Sequence, residues 1–390
     1  MIDTQHESEL PSHPHDILFA GGGTGGHLYP GIAIAEQIRN LAPEVSFHFL
    51  CSRKPLDTHI LNEEGYPYRP ISAQPLLLRP FPSAPYRFLR GWLRAEREAG
   101  QVFDDLLRNA DNPRRLHIVL MGGYIAPPVA CAAARRHIPI TLVNLDVVPG
   151  KANRLATRWA SDIVSAVHCD KPASIASAPV LGMPVRRRAI ATGSQSECRT
   201  RLGLRPDLYT LLITGASQGA GTFNRLLIDM TADSRYRRVF QGWQVLHLCG
   251  AEREAGLYEH YETQGINAVV LPYCNEMGDA WGSADLAISR AGASSVAEAE
   301  INAVPTVFLP YPWHHDDHQR KNAERLVEQG GGWVVRDAVD AGENLEVVGS
   351  MVAGIMGDEK GLREARSVFG GGKGRNAGVE IALRVLGIRP

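Results

Sequence analysis

The chain's chemistry starts at Gly21-Gly22-Gly23-Thr24-Gly25-Gly26-His27, which follows the apolar run Ile17-Leu18-Phe19-Ala20 and precedes Pro30 and the periodic run Gly31-Ile32-Ala33-Ile34-Ala35-Glu36-Gln37-Ile38. A buried strand, a glycine loop and a helix start in this order gather unpaired backbone N–H groups and the positive end of a helix dipole at one point. That arrangement suits a phosphate or diphosphate. His27 is a candidate general base near neutral pH, or a ring that fixes the turn by bonding a backbone carbonyl, and spacing leaves both roles open. Gly21, Gly23 and Gly26 also satisfy G-x-G-x-x-G. The dinucleotide reading of that pattern expects an acid about 20 residues onward at the end of the next strand. Here Phe47-His48-Phe49-Leu50 runs into Cys51-Ser52-Arg53 instead, which weakens a dehydrogenase reading.

Three later clusters repeat the logic. Leu211-Leu212-Ile213-Thr214 enters Gly215-Ala216-Ser217-Gln218-Gly219-Ala220, a second glycine loop with a hydroxyl added. Leu286-Ala287-Ile288 leads through Ser289-Arg290-Ala291 to Gly292-Ala293-Ser294-Ser295, whose free N–H groups would open a helix carrying Glu298 one turn in. That carboxylate either compensates the dipole or accepts from a ribose diol. Val307-Phe308-Leu309 precedes Trp313-His314-His315-Asp316-Asp317-His318-Gln319, where the histidines and aspartates fall in a loop and not on a helix that would pair metal ligands at i, i+4. No Asp-x-Asp pair is present to hold a divalent ion against a diphosphate, so the cluster reads as donors and acceptors for sugar hydroxyls.

The elements that must position these clusters alternate between strand and helix. Strand-like runs at 17–20, 46–51, 117–121, 140–144 and 163–166, with helices from 31 and over 126–136, predict a doubly wound parallel sheet. A second series, at 211–214, 243–249, 268–271, 284–289 and 306–309, predicts another. The expected architecture is α/β, two Rossmann-like domains facing a central cleft. The expected boundaries are a loose tail over 1–15, a first domain over 16–185, a second over 186–365, and a C-terminal helix over 366–390 packing back on the first. With 390 residues, 44% hydrophobic and 21% charged residues and a net charge of -1, the chain reads as globular and lacks the positive excess that nucleic-acid binding needs. The scattered cysteines (51, 131, 169, 198, 249 and 274) form no C-x-x-C pair, which fits a reducing compartment and no structural zinc. No signal peptide and no apolar run near the ~20 residues that span a bilayer is present.

Taken together and in order, these motifs resemble the MurG family of membrane-peripheral N-acetylglucosaminyltransferases. The resemblance runs from about Ile17 to Val335. It is carried by Gly22-Gly23-Thr24-Gly25-Gly26-His27-x-x-Pro30, Gly122-Gly123-Tyr124, Val148-Pro149-Gly150-x-x-Asn153-Arg154, Pro184-Val185-Arg186, Ser217-Gln218-Gly219-Ala220, Gly292-Ala293-x-x-Val296-x-Glu298 and Asp317-His318-Gln319-x-x-Asn322-Ala323. It implies a GT-B fold and inverting transfer of GlcNAc from UDP-GlcNAc to undecaprenyl-diphospho-muramoylpentapeptide, the step from lipid I to lipid II in peptidoglycan synthesis. It also implies a site. Thr24, Gly25, Arg186, Ser217, Gln218, Gly292, Ala293 and Ser294 would bind the donor, Tyr273 and Cys274 would flank the uracil, Glu298 would meet the ribose, and His318 and Gln319 the GlcNAc hydroxyls. Gly22, Gly23, Gly26, His27, Tyr124, Asn144, Asp146 and Asn153 would bind the acceptor. His27 and Glu298 are the catalytic candidates, and His27 is the expected base.

No cofactor is expected beyond UDP-GlcNAc as co-substrate; a divalent ion would act at most as a stimulant without a dedicated site. The segment from Leu76 to Arg94 mixes large apolar residues with arginines. Leu77, Leu78, Phe81, Arg87, Phe88, Arg90 and Trp92 form a candidate patch for an anionic leaflet, placing the chain peripherally on the cytoplasmic face of the inner membrane. Cell-wall synthesis proteins are candidate partners. Two departures fall on the acceptor side. Val143-Asn144-Leu145-Asp146 stands where the family usually has His-Glu-Gln-Asn, and Ala126-Pro127-Pro128 where it usually has a small Ser-Gly after the tyrosine. These departures keep open a diverged transferase or scaffold acting on another lipid-linked glycan, and a UDP-GlcNAc 2-epimerase, which shares the two-domain architecture and donor, is a further alternative.

Overall fold

The computed structural model describes residues 14–23, 25–75, 84–108, 115–215, 221–250, 254–312, 317–370 and 376–388. Residues 1–13 of the expected tail over 1–15, Thr24, Leu77, Leu78, Phe81, Ser217 and Gln218 lie outside them. The chain divides into two compact units, residues 1–184 with 377–390, and residues 185–376. The switch back to the first unit therefore falls at 376/377, and the helix Glu359–Ser367 belongs to the second.

Each unit carries a six-stranded parallel sheet. In the first, β1 (Asp16–Ala20), β2 (Ser46–Cys51), β3 (Tyr68–Pro70), β4 (Leu116–Leu120), β5 (Ile140–Asn144) and β6 (Asp162–Ser165) lie in the order β3-β2-β1-β4-β5-β6. β7 (Tyr209–Thr214), β8 (Trp243–Leu248), β9 (Ala268–Leu271), β10 (Leu286–Ser289), β11 (Thr306–Phe308) and β12 (Gly332–Val334) repeat it as β12-β11-β10-β7-β8-β9. Both sheets thus reverse direction once, between β1 and β4 and between β7 and β10. The crevice beyond the carboxyl ends of the strands at such a switch point is where open α/β sheets bind ligands.

Every residue of β1 is buried, as expected for a parallel strand covered on both faces. Alternate side chains serve opposite layers. Ile17 and Phe19 pack with Ile32, Ile38 and Phe49, while Leu18 and Ala20 pack with Leu120, Ala99, Phe103 and Val129. The C-terminal helix Gly378–Val385 closes the first layer with Ile381 and Val385, and Arg384 pairs with Asp162 at 2.7 Å. The first helix starts earlier than its apolar period indicates, at Gly25 instead of Gly31. It runs to Leu41 with Pro30 inside it, so the Gly26 carbonyl has no i+4 donor.

Two edge strands escape the sequence reading. β3 and β12 have three residues each and end or start on Pro70 and Gly332, too short and too interrupted for a period-two signal.

In the second unit, Arg290 turns inward from the β10 loop. It bonds Asp337 (2.8 Å), the Leu309 carbonyl (3.1 Å) and Thr222 (3.0 Å), and its guanidinium lies 4.5 Å from the Phe223 ring centroid. This buried pair ties the ends of β10, β11 and β12 to the helix Gly221–Ala232.

Candidate active site

At the switch point of the first unit, the loops leaving β1, β4 and β5 meet around His27. Gly22 and Gly23 are buried, and His27 is half-buried in the first turn of its helix. Its ring donates to the Gly22 carbonyl, the turn-fixing role the sequence allowed. Burial lowers its pKa below the ordinary 6.5, while the nearby charges of Asp146 and Asp57 pull the other way. Opposite the ring stands Gly122-Gly123, both at positive φ (101° and 76°). A Cβ on Gly122 would come within 3.1 Å of the His27 ring and 3.0 Å of Asn153 Oδ1, and one on Gly123 within 2.6 Å of the Gly22 carbonyl oxygen. Only glycine lets the two loops interlock this closely. Tyr124 lies against Gly23, where a Cβ would meet its ring at 3.0 Å.

The glycine loop is not the bare cradle its sequence suggests. The Gly21 N–H bonds the Leu50 carbonyl (3.2 Å) and the Gly23 N–H bonds the carboxylate of Asp57 (2.8 Å). Asp57 is fully buried and also accepts from the Ser52 N–H (3.0 Å) and hydroxyl (2.6 Å). A buried carboxylate thus stands behind the loop and takes one of its donors, and the first turn of the helix at Gly25 and Gly26 adds N–H groups for an anion.

Asn144, expected on the acceptor side, is held inside the fold. It is fully buried, and its amide donates to the Asp146 carbonyl (2.9 Å), Ser165 (3.0 Å) and Cys169 (3.1 Å) while accepting from Asn153 (3.4 Å). It is a strut between β5 and β6, and through Asn153 it steadies the His27 side of the site. Asn153 Oδ1 is buried and has no partner among the described residues. Asp146 is partly exposed beyond the strand end.

In the second unit, β10 ends in Arg290-Ala291-Gly292 and the helix Ala293–Ile301 begins, with Gly292 as its cap. Ser294 Oγ and Asn322 Oδ1 are buried without partners among the described residues, and the Asn322 amide bonds the Ala291 carbonyl (3.3 Å). Glu298 accepts from the Trp281 indole N–H (2.9 Å). Burial raises its carboxyl pKa, and the positive charge of buried Arg186 with the Trp281 bond draws it back down. Arg186, Gly292, Ala293, Ser294 and Glu298 are therefore grouped at this switch point. Gln319 accepts from the Tyr311 N–H (2.8 Å), which orders the entry to the helix His318–Glu328. Tyr273 is exposed, but the Cys274 side chain is buried with Trp281 and Ala280, and burial pushes its thiol up to about 11. Neither Asp57 nor Trp281 carries a local signal, because each acts on a loop distant in sequence.

Residues 17–165 match the glycosyltransferase family 28 N-terminal domain, and residues 210–353 match its C-terminal domain. A UDP-N-acetylglucosamine–N-acetylmuramyl-(pentapeptide) pyrophosphoryl-undecaprenol N-acetylglucosamine transferase of Nocardioides sp. is 33% identical, with 93% of this chain and 99% of that protein covered. The chain belongs to the MurG family. A Halothermothrix orenii protein of the same name is 30% identical over 89% of this chain and 92% of its own length. The crystal structure of Acinetobacter baumannii MurG, 23% identical, covers 96% of the chain with a TM-score of 0.68, which places this MurG-family chain in the GT-B fold. A putative UDP-N-acetylglucosamine 2-epimerase from Listeria monocytogenes shares that fold (TM-score 0.60) at 12% identity. Among the described residues no helix is long and apolar enough to cross a membrane.

Proposed function

We propose that this chain transfers GlcNAc from UDP-GlcNAc to undecaprenyl-diphospho-muramoylpentapeptide with inversion at the anomeric carbon. The observation that carries this reading is the match to transferases so named along nearly their whole length. An acceptor hydroxyl attacks from the face opposite UDP in a single displacement. His27 takes its proton. One ring nitrogen donates to the Gly22 carbonyl, so in the neutral imidazole the other is an acceptor. Asp146 and Asp57 stabilise the imidazolium that forms. Charge growing on the departing diphosphate is met by the N–H groups of the helix Ala293–Ile301 and by Arg186, with Ser294 as a hydroxyl donor. No metal or other cofactor enters this mechanism.

Glu298 is the ribose acceptor. A hydrogen bond to a charged group contributes about 1.5–3 kcal/mol. Glu298→Ala is therefore expected to raise the KM for UDP-GlcNAc roughly 10- to 100-fold with a smaller change in kcat. A kcat loss with unchanged KM would assign Glu298 to the reaction instead.

A membrane contact follows from the long helix Ala84–Arg108. Tyr86, Leu89 and Leu93 are exposed along one stripe, next to Arg87 and Arg90, while Phe88 and Trp92 turn inward toward Trp159. An apolar stripe beside cations fits a peripheral protein on an anionic leaflet, here the cytoplasmic face of the inner membrane.

The test is transfer of labelled GlcNAc to a short-chain lipid I analogue with UDP release followed in parallel. Stoichiometric transfer and release are expected. UDP release without product on the acceptor, or conversion of UDP-GlcNAc alone to its 2-epimer, would overturn the reading.

A further inference from the structure

Arg87, Arg90 and Arg94 lie at i, i+3 and i+7 on the helix Ala84–Arg108, a single face at about 100° per residue. All three are exposed, and none is in an ion pair among the described residues. Like charges at this spacing repel one another. Facing them are Arg53 and Lys54, at the start of the helix Pro55–Glu63, and with Tyr124 these side chains line one hollow of about 630 Å³. Among the described residues no carboxylate lines it. Arg53 alone has an acidic partner, Glu98 at 3.2 Å, which Ser72 also engages at 2.7 Å.

The hollow adjoins the His27 loop at two points. Lys54 Nζ donates to the Gly23 carbonyl (2.7 Å), and the Tyr124 ring covers the Gly23 Cα. The loop itself offers an anion only part of its backbone. Its Gly21 and Gly23 N–H groups are already bonded, the second of them to the buried Asp57 carboxylate. Next to it, five cations line an open space, and of these only Arg53 has an acidic partner among the described residues. Such a field attracts an anion of more than one charge, and arginine forks match phosphate oxygens geometrically.

We propose that this hollow binds a diphosphate. On the function proposed above, on which this inference rests, the ligand is the acceptor's own diphosphate, held by Arg53, Lys54, Arg87, Arg90 and Arg94 beside the glycine loop. A phospholipid headgroup offers the same phosphate chemistry, so the test must separate the two sources.

The full-length protein, saturated with UDP to fill the donor site, is titrated with inorganic pyrophosphate and with inorganic phosphate. Steady-state kinetics use a water-soluble, short-chain lipid I analogue, and flotation uses phosphatidylglycerol vesicles. Arg90→Gln and Arg94→Gln are each expected to weaken pyrophosphate binding at least fivefold and to raise the KM for the analogue by a similar factor. The KM for UDP-GlcNAc should stay within twofold. Arg363→Gln, an exposed charge in the second unit, should change none of these. Pyrophosphate binding unchanged in both variants overturns the proposal. So does loss of vesicle flotation alone with the analogue's KM preserved, because the arginines then serve headgroups. If the protein transfers no GlcNAc yet the variants still lose pyrophosphate, the diphosphate site stands and the function falls.

Discussion

Turnover of a His27→Ala variant is expected to fall by about 10²- to 10⁴-fold, the range that general-base catalysis contributes. The geometry that leads to this expectation also supplies the control. The ring is oriented by its bond to the Gly22 carbonyl and confined by Gly122 and Gly123, so alanine removes both a proton acceptor and a wedge between two loops. His27→Gln keeps a side-chain N–H for the Gly22 carbonyl but supplies no basic nitrogen. If His27 is the base, the glutamine variant stays as slow as the alanine variant while its thermal stability recovers. Recovery of the rate in His27→Gln would leave the histidine with a positioning role alone. The pH profile gives an independent reading. Burial lowers the His27 pKa, so the neutral, proton-accepting form persists below pH 6.5. The acid limb of kcat/KM, which reports the free enzyme, should therefore lie below 6.5, with the rate falling as the pH drops through the folded pKa. Asp146→Asn removes one of the charges that raise this pKa and should shift the limb further toward acid.

Asp337→Ala is expected to destabilise the second unit by about 3–5 kcal/mol, the usual result of leaving one charge of a buried pair uncompensated. Asp337 is 1% exposed and accepts from Arg290, Thr222, Asn344 and the Val339 N–H, all at 2.8–3.0 Å. Its removal strands the Arg290 guanidinium among Phe223, Thr222 and the Leu309 carbonyl. Urea unfolding followed by tryptophan fluorescence checks the figure, and a loss below 1 kcal/mol would show that water reaches Arg290. Burial pushes the Asp337 carboxyl up, but its hydrogen bonds together hold it below the ordinary 3.8. A depressed folded pKa means this stabilisation is fully present above the unfolded value of about 3.9 and is lost as the pH falls through the folded one. Asp337→Asn should abolish that part of the acid dependence while keeping some of the hydrogen bonds.

Much of the site's framework was legible because it is local. A strand that enters a glycine turn and a helix is written in consecutive residues, and each unit declares itself twice in that way, at Ala20/Gly21 and Met121/Gly122 in the first and at Thr214/Gly215 and Ser289/Gly292 in the second. Side-chain direction was less legible. Asn144 and Cys274 stand where the family resemblance implies ligand contacts, yet both side chains are buried. At the end of a parallel strand, a one-residue change of phase decides between site and core. The chemistry behind the glycine loop was hidden for a different reason. Asp57 lies 34 residues from Gly23, and no periodicity connects them.

By itself the sequence determined the two parallel α/β units, the four glycine-bearing strand ends and the family, since each depends on residue order within a few turns of chain. The tertiary structure alone decided which of those glycine N–H groups remain available, that His27 is clamped between two loops, and that arginines from 87 to 94 share a hollow with Arg53 and Lys54. These are pairings between distant segments, set by how strands and helices pack, and Coulomb and hydrogen-bond energies depend on the resulting distances in space, to which the spacing along the chain is blind.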